Sequence, residues 1–223
     1  MNIKGVIFDL DGTLIDSMPV WDDLGELYLK SKGLKARDGL AQILLPMSLL
    51  ETAKYFRTEY GVTDPVQTIL EDVNQLLAHA YQHEILLKSG ATRLVQFLKE
   101  QGVKMCVATA TDHALSEAVL ARTGILPYLE GIITCGEIGF GKDCPDVFLA
   151  ALNLLKTDIR QACVFEDTLH SMKTAKAAGF FTVAVSDDAS HAHQTQIKDL
   201  ANIYLVDLVD FQERFCAGKV DWT

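Results

Sequence analysis

The chain has 223 residues, of which 49% are apolar and 22% are charged, and its formal net charge at pH 7 is −10. This length predicts one large domain, or one domain with a smaller insert, and the apolar fraction excludes a chain that is disordered throughout. The acidic charge argues against nucleic acid or an anionic membrane surface as the main partner.

Cysteine usage and hydropathy indicate the environment of the protein. The five cysteines are scattered, without a CxxC pair, which is typical of a reducing compartment. No apolar stretch reaches the length of a membrane span, and no basic segment leads into an apolar one as in a signal peptide. We therefore expect a soluble, cytoplasmic protein, and we expect it to be a monomer or a weak homo-oligomer.

The first predicted element is a buried strand over residues 3–8, because IKGVIF is short and rich in β-branched and aromatic side chains. The strand ends at Asp9, which is followed by Leu10, Asp11 and Gly12. Two carboxylates so close to a buried strand raise each other's pKa, and a divalent cation relieves that repulsion. A turn rich in aspartates is the alternative that this stretch alone leaves open.

Residues 16–88 are predicted to form a helical domain, since apolar side chains recur there at helical spacing and no strand pattern intervenes. Three helices are expected. The first starts near Pro19 and ends at Gly33, the second ends at Gly61, and the third begins after Pro65. An insert of this size is sufficient for a small helical bundle.

Helices and strands alternate from residue 89 onward, with strands predicted at residues 104–109, 131–134, 162–165, 181–185 and 203–206. This alternation is typical of βαβ units and of a parallel sheet covered on both faces. The predicted fold class is therefore α/β. A doubly wound, Rossmann-like core of residues 1–15 and 89–223 is interrupted by the all-helical insert of residues 16–88.

Polar side chains stand where three of these strands end, and a lysine occupies a neighbouring loop. In doubly wound sheets ligands bind beyond the carboxyl ends of the strands, so these side chains should share one pocket. Carboxylates are suitable ligands for Mg²⁺, and the hydroxyl and the ammonium group are suitable donors for phosphoryl oxygens. The candidate residues are Asp9, Asp11, Thr109, Lys142, Glu166 and Asp167.

Four motifs in this order resemble the haloacid dehalogenase superfamily of phosphotransferases. The first, DxDGTLxDS, occupies residues 9–17, and the second is the apolar strand that ends at Thr109. The third is Lys142 ahead of a PDxF helix start, and the fourth is the acidic pair at 166–167. The insert is similar to the helical cap of the subfamily that contains phosphoglycolate phosphatase and β-phosphoglucomutase.

The resemblance implies a role for each motif residue. Asp9 would be the nucleophile that forms an aspartyl-phosphate, and Asp11 would act first as general acid and then as general base. Thr109 and the N–H of Ala110 would bind the phosphoryl oxygens, and Lys142 would offset negative charge.

The resemblance also implies Mg²⁺ as cofactor, held by Asp9, the main-chain carbonyl of Asp11 and Asp167, with Glu166 as a further ligand or beside one. The implied activity is hydrolysis of a small phosphorylated metabolite, such as a sugar phosphate or phosphoglycolate. The alternative is a phosphomutase similar to β-phosphoglucomutase, although residues 44–49 are apolar where that subfamily places an arginine. A dehalogenase is disfavoured, and a non-catalytic phosphate-binding module is the remaining possibility.

Two further patterns suggest other metal or nucleotide sites. Residues 136–142 match the GxxxxGK of a P-loop, but Asp143 replaces the Ser or Thr that would bind Mg²⁺. We therefore do not predict a nucleotide site there. Several histidines could bind a metal but are predicted to have surface or helix-start roles instead: His79, His83, His170, His191 and His193.

A few residues beside the motifs have more than one interpretation. Thr111 and Asp112 could contact phosphate or cap the next helix, and capping is favoured. Asp143 and Ser171 depart from residues that are common in the family, Ser171 standing where a glycine is frequent. Neither departure touches an atom with an implied catalytic role.

Overall fold

The computed structural model describes residues 3–44, 47 and 49–216. The chain divides into two compact units, one that runs to Asp16 and resumes at Leu86, and one that spans Ser17–Ile85. Among the described residues, no helix combines the length and the apolar composition that crossing a bilayer requires.

The strands, in chain order, are β1 (Gly5–Phe8), β2 (Ile15–Asp16), β3 (Leu86–Leu87), β4 (Lys104–Thr109), β5 (Ile132–Thr134), β6 (Ala162–Glu166), β7 (Phe181–Val185) and β8 (Ile203–Leu205). The helices are α1 (Met18–Ser31), α2 (Leu40–Leu44), α3 (Leu49–Glu59), α4 (Val66–His83), α5 (Ala91–Glu100), α6 (His113–Arg122), α7 (Cys135–Ile138), α8 (Asp146–Leu155), α9 (Leu169–Ala177), α10 (Gln194–Leu200) and α11 (Leu208–Cys216).

The first unit contains a six-stranded parallel sheet in the order β5-β4-β1-β6-β7-β8. Phe8 of β1 pairs with Val107 of β4 on one side and with Phe165 of β6 on the other. The strand order reverses at β1, which is the point where doubly wound sheets leave a crevice at the carboxyl ends of the strands. The sheet confirms the predicted fold class.

The helices of this unit cover both faces of the sheet. On one face, Ile7 packs in a buried cluster with Phe148 and Ala151 of α8. On the other, Phe165 has its ring centroid 4.9 Å from that of Phe8 and 5.2 Å from that of Phe211 of α11. Burial on both faces explains why these strands are apolar throughout and do not alternate.

A two-stranded antiparallel ribbon of β2 and β3 lies where the chain leaves this unit and where it returns. After β3, Lys88 donates to the carbonyl of Ser186 at 2.8 Å and to Asp187 at 2.6 Å. Residues 86–88 are therefore held to the sheet unit, whereas the sequence pattern predicted them as part of the insert. The opening strand likewise begins at Gly5 and not at residue 3.

The second unit is a bundle of α1 to α4, and its short helix α2 was not predicted from the sequence. Tyr28 and Phe56 stack with ring centroids 5.0 Å apart, and Trp21 donates to the Tyr81 hydroxyl at 3.2 Å. A cavity of about 320 Å³ lies among these helices, and Asp22 is the only charged residue among its described lining residues. Leu45, Pro46 and Ser48 of the predicted apolar loop lie outside the described residues.

Candidate active site

Asp9 stands at the carboxyl end of β1, where the sheet holds it in place. Its N–H donates to the carbonyl of Phe165 at 2.9 Å, so the backbone hydrogen bonding of the sheet continues one residue past the strand. The side chain is only 6% exposed. A buried carboxylate needs a compensating partner, and Lys142 supplies one by donating to its Oδ1.

Lys142 lies in the loop between α7 and α8 and is buried. Besides Asp9 it donates to Oε1 of Glu166 at 2.7 Å. One ammonium group therefore bridges two carboxylates that come from different strand ends. The P-loop alternative fails here, because Gly136 lies inside α7 and the lysine is engaged by carboxylates.

Glu166 has hydrogen bonds on both carboxylate oxygens. Oε1 accepts from Lys142, while Oε2 accepts from the N–H of Asp167 at 3.0 Å and the N–H of Thr168 at 3.0 Å. The Thr168 hydroxyl lies 2.9 Å from the same oxygen. These donors fix the rotamer of Glu166, and through it the position of the Lys142 ammonium group.

Asp167 faces the turn that follows β1. Its Oδ1 accepts from the Thr13 hydroxyl at 3.2 Å. Gly12 has φ +79°, and a Cβ there would lie 2.6 Å from Oδ2 of Asp167. The glycine is thus required twice, for its backbone conformation and for the close approach of the carboxylate. Thr13 lies inside the first motif, but its contact with Asp167 was not predicted from the sequence.

Asp9, Glu166 and Asp167 form a buried acidic cluster, with one ligand atom of each within 4.8 Å of the others. The donor set consists of hard carboxylate oxygens, which are the ligands that Mg²⁺ prefers in proteins. Three carboxylates face one lysine, so the cluster lacks positive charge. Charge and donor chemistry both fit a divalent cation at this position.

The pKa values reflect this imbalance. Burial raises the pKa of Asp9 to about 7, against the lowering effect of Lys142. Burial, followed by the charges of Glu166 and Asp9, raises the pKa of Asp167 well above its usual range. A cation bound between these carboxylates would favour their ionised forms, which is the form in which they act as ligands.

Lys142 and Glu166 of the cluster favour each other's charged form, because they pair with each other. Burial opposes the charged form of Lys142, but Asp9 and Glu166 outweigh it and raise the lysine pKa. Burial also opposes ionisation of Glu166, yet Lys142 and the Thr168 hydrogen bonds lower its pKa below the usual value. Lys142 and Glu166 therefore form an ion pair, with 2.7 Å between Nζ and Oε1.

A hydroxyl-rich turn follows β4 beside the cluster. Thr109 is buried, and its hydroxyl accepts from the N–H of Thr111 at 3.0 Å, while Ala110 between them is exposed. The Thr111 hydroxyl donates to Oδ2 of Asp11 at 2.6 Å. Asp112 caps α6 by accepting from the N–H of Ala114 at 2.9 Å. The capping interpretation is thus wrong for Thr111, whose contact with Asp11 requires the tertiary fold.

None of the five histidines considered as metal ligands belongs to the acidic cluster. His191 and His193 are exposed in a short helical turn after β7. His79 and His83 are exposed on α4, with ring centroids 4.8 Å apart and His79 3.3 Å from Glu84. His170, in α9, contacts a buried serine that also belongs to the surroundings of Glu166.

The sequence and the fold both match known proteins. The model of the haloacid dehalogenase-like hydrolases matches residues 3–179. (DL)-Glycerol-3-phosphatase 2 of Arabidopsis thaliana is 30% identical over 222 residues, covering 95% of this chain and 90% of that protein. Hexitol phosphatase B of Escherichia coli O157:H7 is 25% identical over 219 residues, covering 97% of each chain.

A crystal structure from Thermotoga maritima, of a protein provisionally named β-phosphoglucomutase, has a TM-score of 0.83 at 20% identity and covers 95% of this chain and 99% of that one. At this identity the likeness concerns the fold alone. The match of the family model over most of the chain goes further and confirms the resemblance found in the motifs. The chain belongs to the haloacid dehalogenase-like hydrolase family.

Proposed function

We propose that the protein is a Mg²⁺-dependent phosphatase that hydrolyses small phosphorylated metabolites through an aspartyl-phosphate on Asp9. One observation carries the proposal. The nucleophile candidate lies at the switch point of the sheet, paired with a buried lysine and clustered with two further buried carboxylates. Phosphoryl transfer depends mainly on positioning and on charge stabilisation, and this arrangement provides both.

The reaction has two steps on this chain's residues. A carboxylate oxygen of Asp9 attacks phosphorus, the bond from phosphorus to the ester oxygen breaks, and Asp11 gives its proton to the leaving oxygen. Asp11 then takes a proton from water, which attacks the aspartyl-phosphate and releases inorganic phosphate. The 2.6 Å contact from Thr111 restricts where the Asp11 carboxyl can point, which supports this role.

The phosphoryl group would be held by groups that meet at the strand ends. Thr109 and the N–H of Ala110 would bind its oxygens, and Lys142 would carry positive charge beside Asp9. The Thr109 hydroxyl already accepts from the N–H of Thr111. Its proton therefore remains available for an oxygen of the substrate.

The cation would be held by Asp9, Asp167 and the main-chain carbonyl of Asp11, with Glu166 beside it. When bound, Mg²⁺ supplies the positive charge that lets an anionic nucleophile approach an anionic phosphate. Glu166 already accepts hydrogen bonds on both oxygens. We therefore propose that its main part is to position Lys142 and not to act as a primary ligand.

The substrate class that we propose is a sugar or polyol phosphate with a single phosphate group. Glycerol-3-phosphatase and hexitol phosphatase are relatives over nearly the whole chain, which supports this class. A phosphomutase must also bind a second phosphate through its cap. The described lining of the helical unit's cavity includes a carboxylate and no lysine or arginine, which favours the hydrolase.

A panel of phosphomonoesters tests the proposal. It includes glycerol 3-phosphate, hexitol and hexose phosphates, phosphoglycolate, and β-glucose 1-phosphate with its bisphosphate activator, each with and without Mg²⁺. We expect Mg²⁺-dependent release of inorganic phosphate from several esters. Asp9→Asn should reduce this release by more than about 10³-fold, as loss of a covalent nucleophile does.

The exposed Asp199 on α10 provides the matched control, because Asp199→Asn makes the same chemical change away from the strand ends. Its activity should equal that of the wild-type protein. Isomerisation of glucose 1-phosphate without phosphate release would show that the protein is a mutase and not a hydrolase. Inactivity over the whole panel, in a folded protein loaded with Mg²⁺, would favour a phosphate-binding module.

A further inference from the structure

We propose that Ser171 is a positioning residue for the reaction, acting through Thr168 and Glu166 on the ammonium group of Lys142. The inference rests on the proposed function, since it assigns to a hydroxyl outside the four motifs a part in the same phosphoryl transfer. Ser171 lies in the first turn of α9 and is 1% exposed. Water therefore cannot satisfy its hydroxyl, and the protein must.

The side chains involved form one continuous path. The Ser171 Oγ lies 2.8 Å from the Thr168 Oγ1, which lies 2.9 Å from Oε2 of Glu166. The other oxygen of Glu166 accepts from Lys142 at 2.7 Å. At the far end, Nε2 of His170 lies 3.2 Å from the Ser171 Oγ.

Counting protons sets the direction of these hydrogen bonds. The Thr168 hydroxyl has one proton, and an ionised carboxylate can only accept, so Thr168 donates to Glu166. The Ser171 hydroxyl must then donate to Thr168. Because that uses the only proton of Ser171, the contact with His170 requires a proton on Nε2 of the imidazole. Each hydrogen bond of the path is therefore donated toward the Glu166 carboxylate, beginning with the imidazole of His170.

This direction gives Ser171 an effect at the reacting atoms. A hydroxyl that accepts a hydrogen bond becomes a better donor, so Ser171 strengthens the bond from Thr168 to Glu166. That bond helps to hold the Glu166 rotamer, and Glu166 holds the ammonium group of Lys142 next to Asp9. A glycine, which is frequent at this position in the family, would lack the hydroxyl.

A double-mutant cycle on Ser171→Ala and Thr168→Val tests the path. Thr168 makes no side-chain capping bond to α9, so valine removes the hydroxyl without removing a cap. With glycerol 3-phosphate or the best substrate of the panel, Ser171→Ala should lower kcat about threefold to tenfold, as expected for one bond in a charged network. KM should stay within about twofold. The double variant should be no slower than Thr168→Val alone.

Ser116→Ala is the matched control, since Ser116 is also buried on a helix and donates to the carbonyl of Asp112 at 2.9 Å. We expect it to lower the melting temperature as much as Ser171→Ala does, with kcat unchanged. Equal kcat for both serine variants, or additive effects in the cycle, would show that Ser171 is only a packing residue. Inactivity of the wild-type protein would instead contradict the proposed function itself.

A measurement without substrate tests the direction independently. The ¹⁵N spectrum of the neutral His170 imidazole, assigned by its loss in His170→Asn, should show the tautomer with the proton on Nε2. In Ser171→Ala the preference should weaken. A proton on Nδ1 in the wild-type protein would mean that Ser171 donates to His170, which breaks the path and overturns the proposal.

Discussion

The two units of the chain differ in the polarity of the cavities and side-chain clusters that they contain. At the strand ends of the sheet unit, buried carboxylates are held by an ammonium group, backbone N–H groups and hydroxyls with specific partners. In the helical unit, the described lining of a cavity of about 320 Å³ is mostly apolar, and Asp22 is the only charged residue in it.

We propose that this difference separates two tasks, with phosphoryl transfer in the sheet unit and discrimination between organic groups in the helical unit. Phosphoryl chemistry is the same for every ester, so the groups that perform it must be held in one geometry, and buried polar networks provide that rigidity. Discrimination between organic groups requires an adaptable surface, and an apolar cavity in a small bundle can be repacked at modest free-energy cost. Substitutions in the sheet unit should therefore change rate, metal affinity and pH dependence. Those in the helical unit should change its own stability.

The largest expected effect comes from Lys142→Met. The change removes the single ammonium group between Asp9 and Glu166 and leaves two buried carboxylates without that cationic partner. We expect kcat to fall about 10²–10³-fold and the metal-free protein to lose about 3–5 kcal/mol of unfolding free energy. Phosphate release and denaturant titrations measure the two quantities.

Lys104→Met is the control for this substitution, because Lys104 donates to the Leu155 carbonyl at 3.2 Å at the opposite end of the strands. It should leave kcat unchanged. If both lysine variants lose the same activity, the loss does not depend on the position of the lysine at the carboxyl ends of the strands, and the proposed role of Lys142 is contradicted.

An intermediate effect is expected in the pH dependence of stability. The pKa of Asp9 is raised by burial from 3.8 to about 7, so folding stabilises its protonated form. This contribution is complete below pH 3.8 and is lost as the pH rises to about 7. Without metal, the wild-type protein should therefore lose stability relative to Asp9→Asn over this window, by an amount on the order of a few kcal/mol.

Urea titrations at several pH values, with the chelator EDTA or with saturating Mg²⁺, measure this loss. Mg²⁺ should abolish it, because the cation favours the ionised carboxylate, and the Asp199→Asn control should follow the wild-type curve. Parallel curves for the wild-type protein and Asp9→Asn in EDTA would contradict the assignment of the titration to Asp9.

The smallest effect is expected in the helical unit, for Phe56→Leu. The substitution removes the stacking of Phe56 on Tyr28 and leaves a small void, so it should cost about 1–2 kcal/mol. Hydrogen exchange should locate the loss of protection in the amides of Ser17–Ile85. The matching change in the sheet unit, Phe180→Leu, should instead lower the hydrogen-exchange protection of amides in the sheet unit. Equal losses in both units for each variant would show that they unfold together.

Much of the fold could be predicted because its signals are local. Strands buried on both faces are short apolar runs, and helices between them repeat their apolar residues at helical spacing. The predicted strands at 104–109 and 181–185 match β4 and β7 to the residue. Helix α2 was missed because five residues are too few to establish a period.

The candidate site was only partly accessible to the same reasoning. The motifs placed the charged residues at the strand ends, where parallel strands converge. The hydrogen-bond partners of those residues could not be predicted from the motifs. A hydroxyl at the end of a strand or in the first turn of a helix reaches a carboxylate only in a particular rotamer, which the sequence does not specify. Thr111 was therefore interpreted as a cap, and Ser171 as a neutral departure.

The sequence by itself determined the class of fold, the family and the identity of the charged groups, since these depend on composition, periodicity and short motifs along the chain. Only the tertiary structure decided which donor meets which acceptor. Lys142 bridges Asp9 and Glu166, and Thr111 meets Asp11, across separations of 24 to 133 residues. Hydrogen bonds require distances within a few tenths of an ångström, and packing of the whole sheet unit sets those distances.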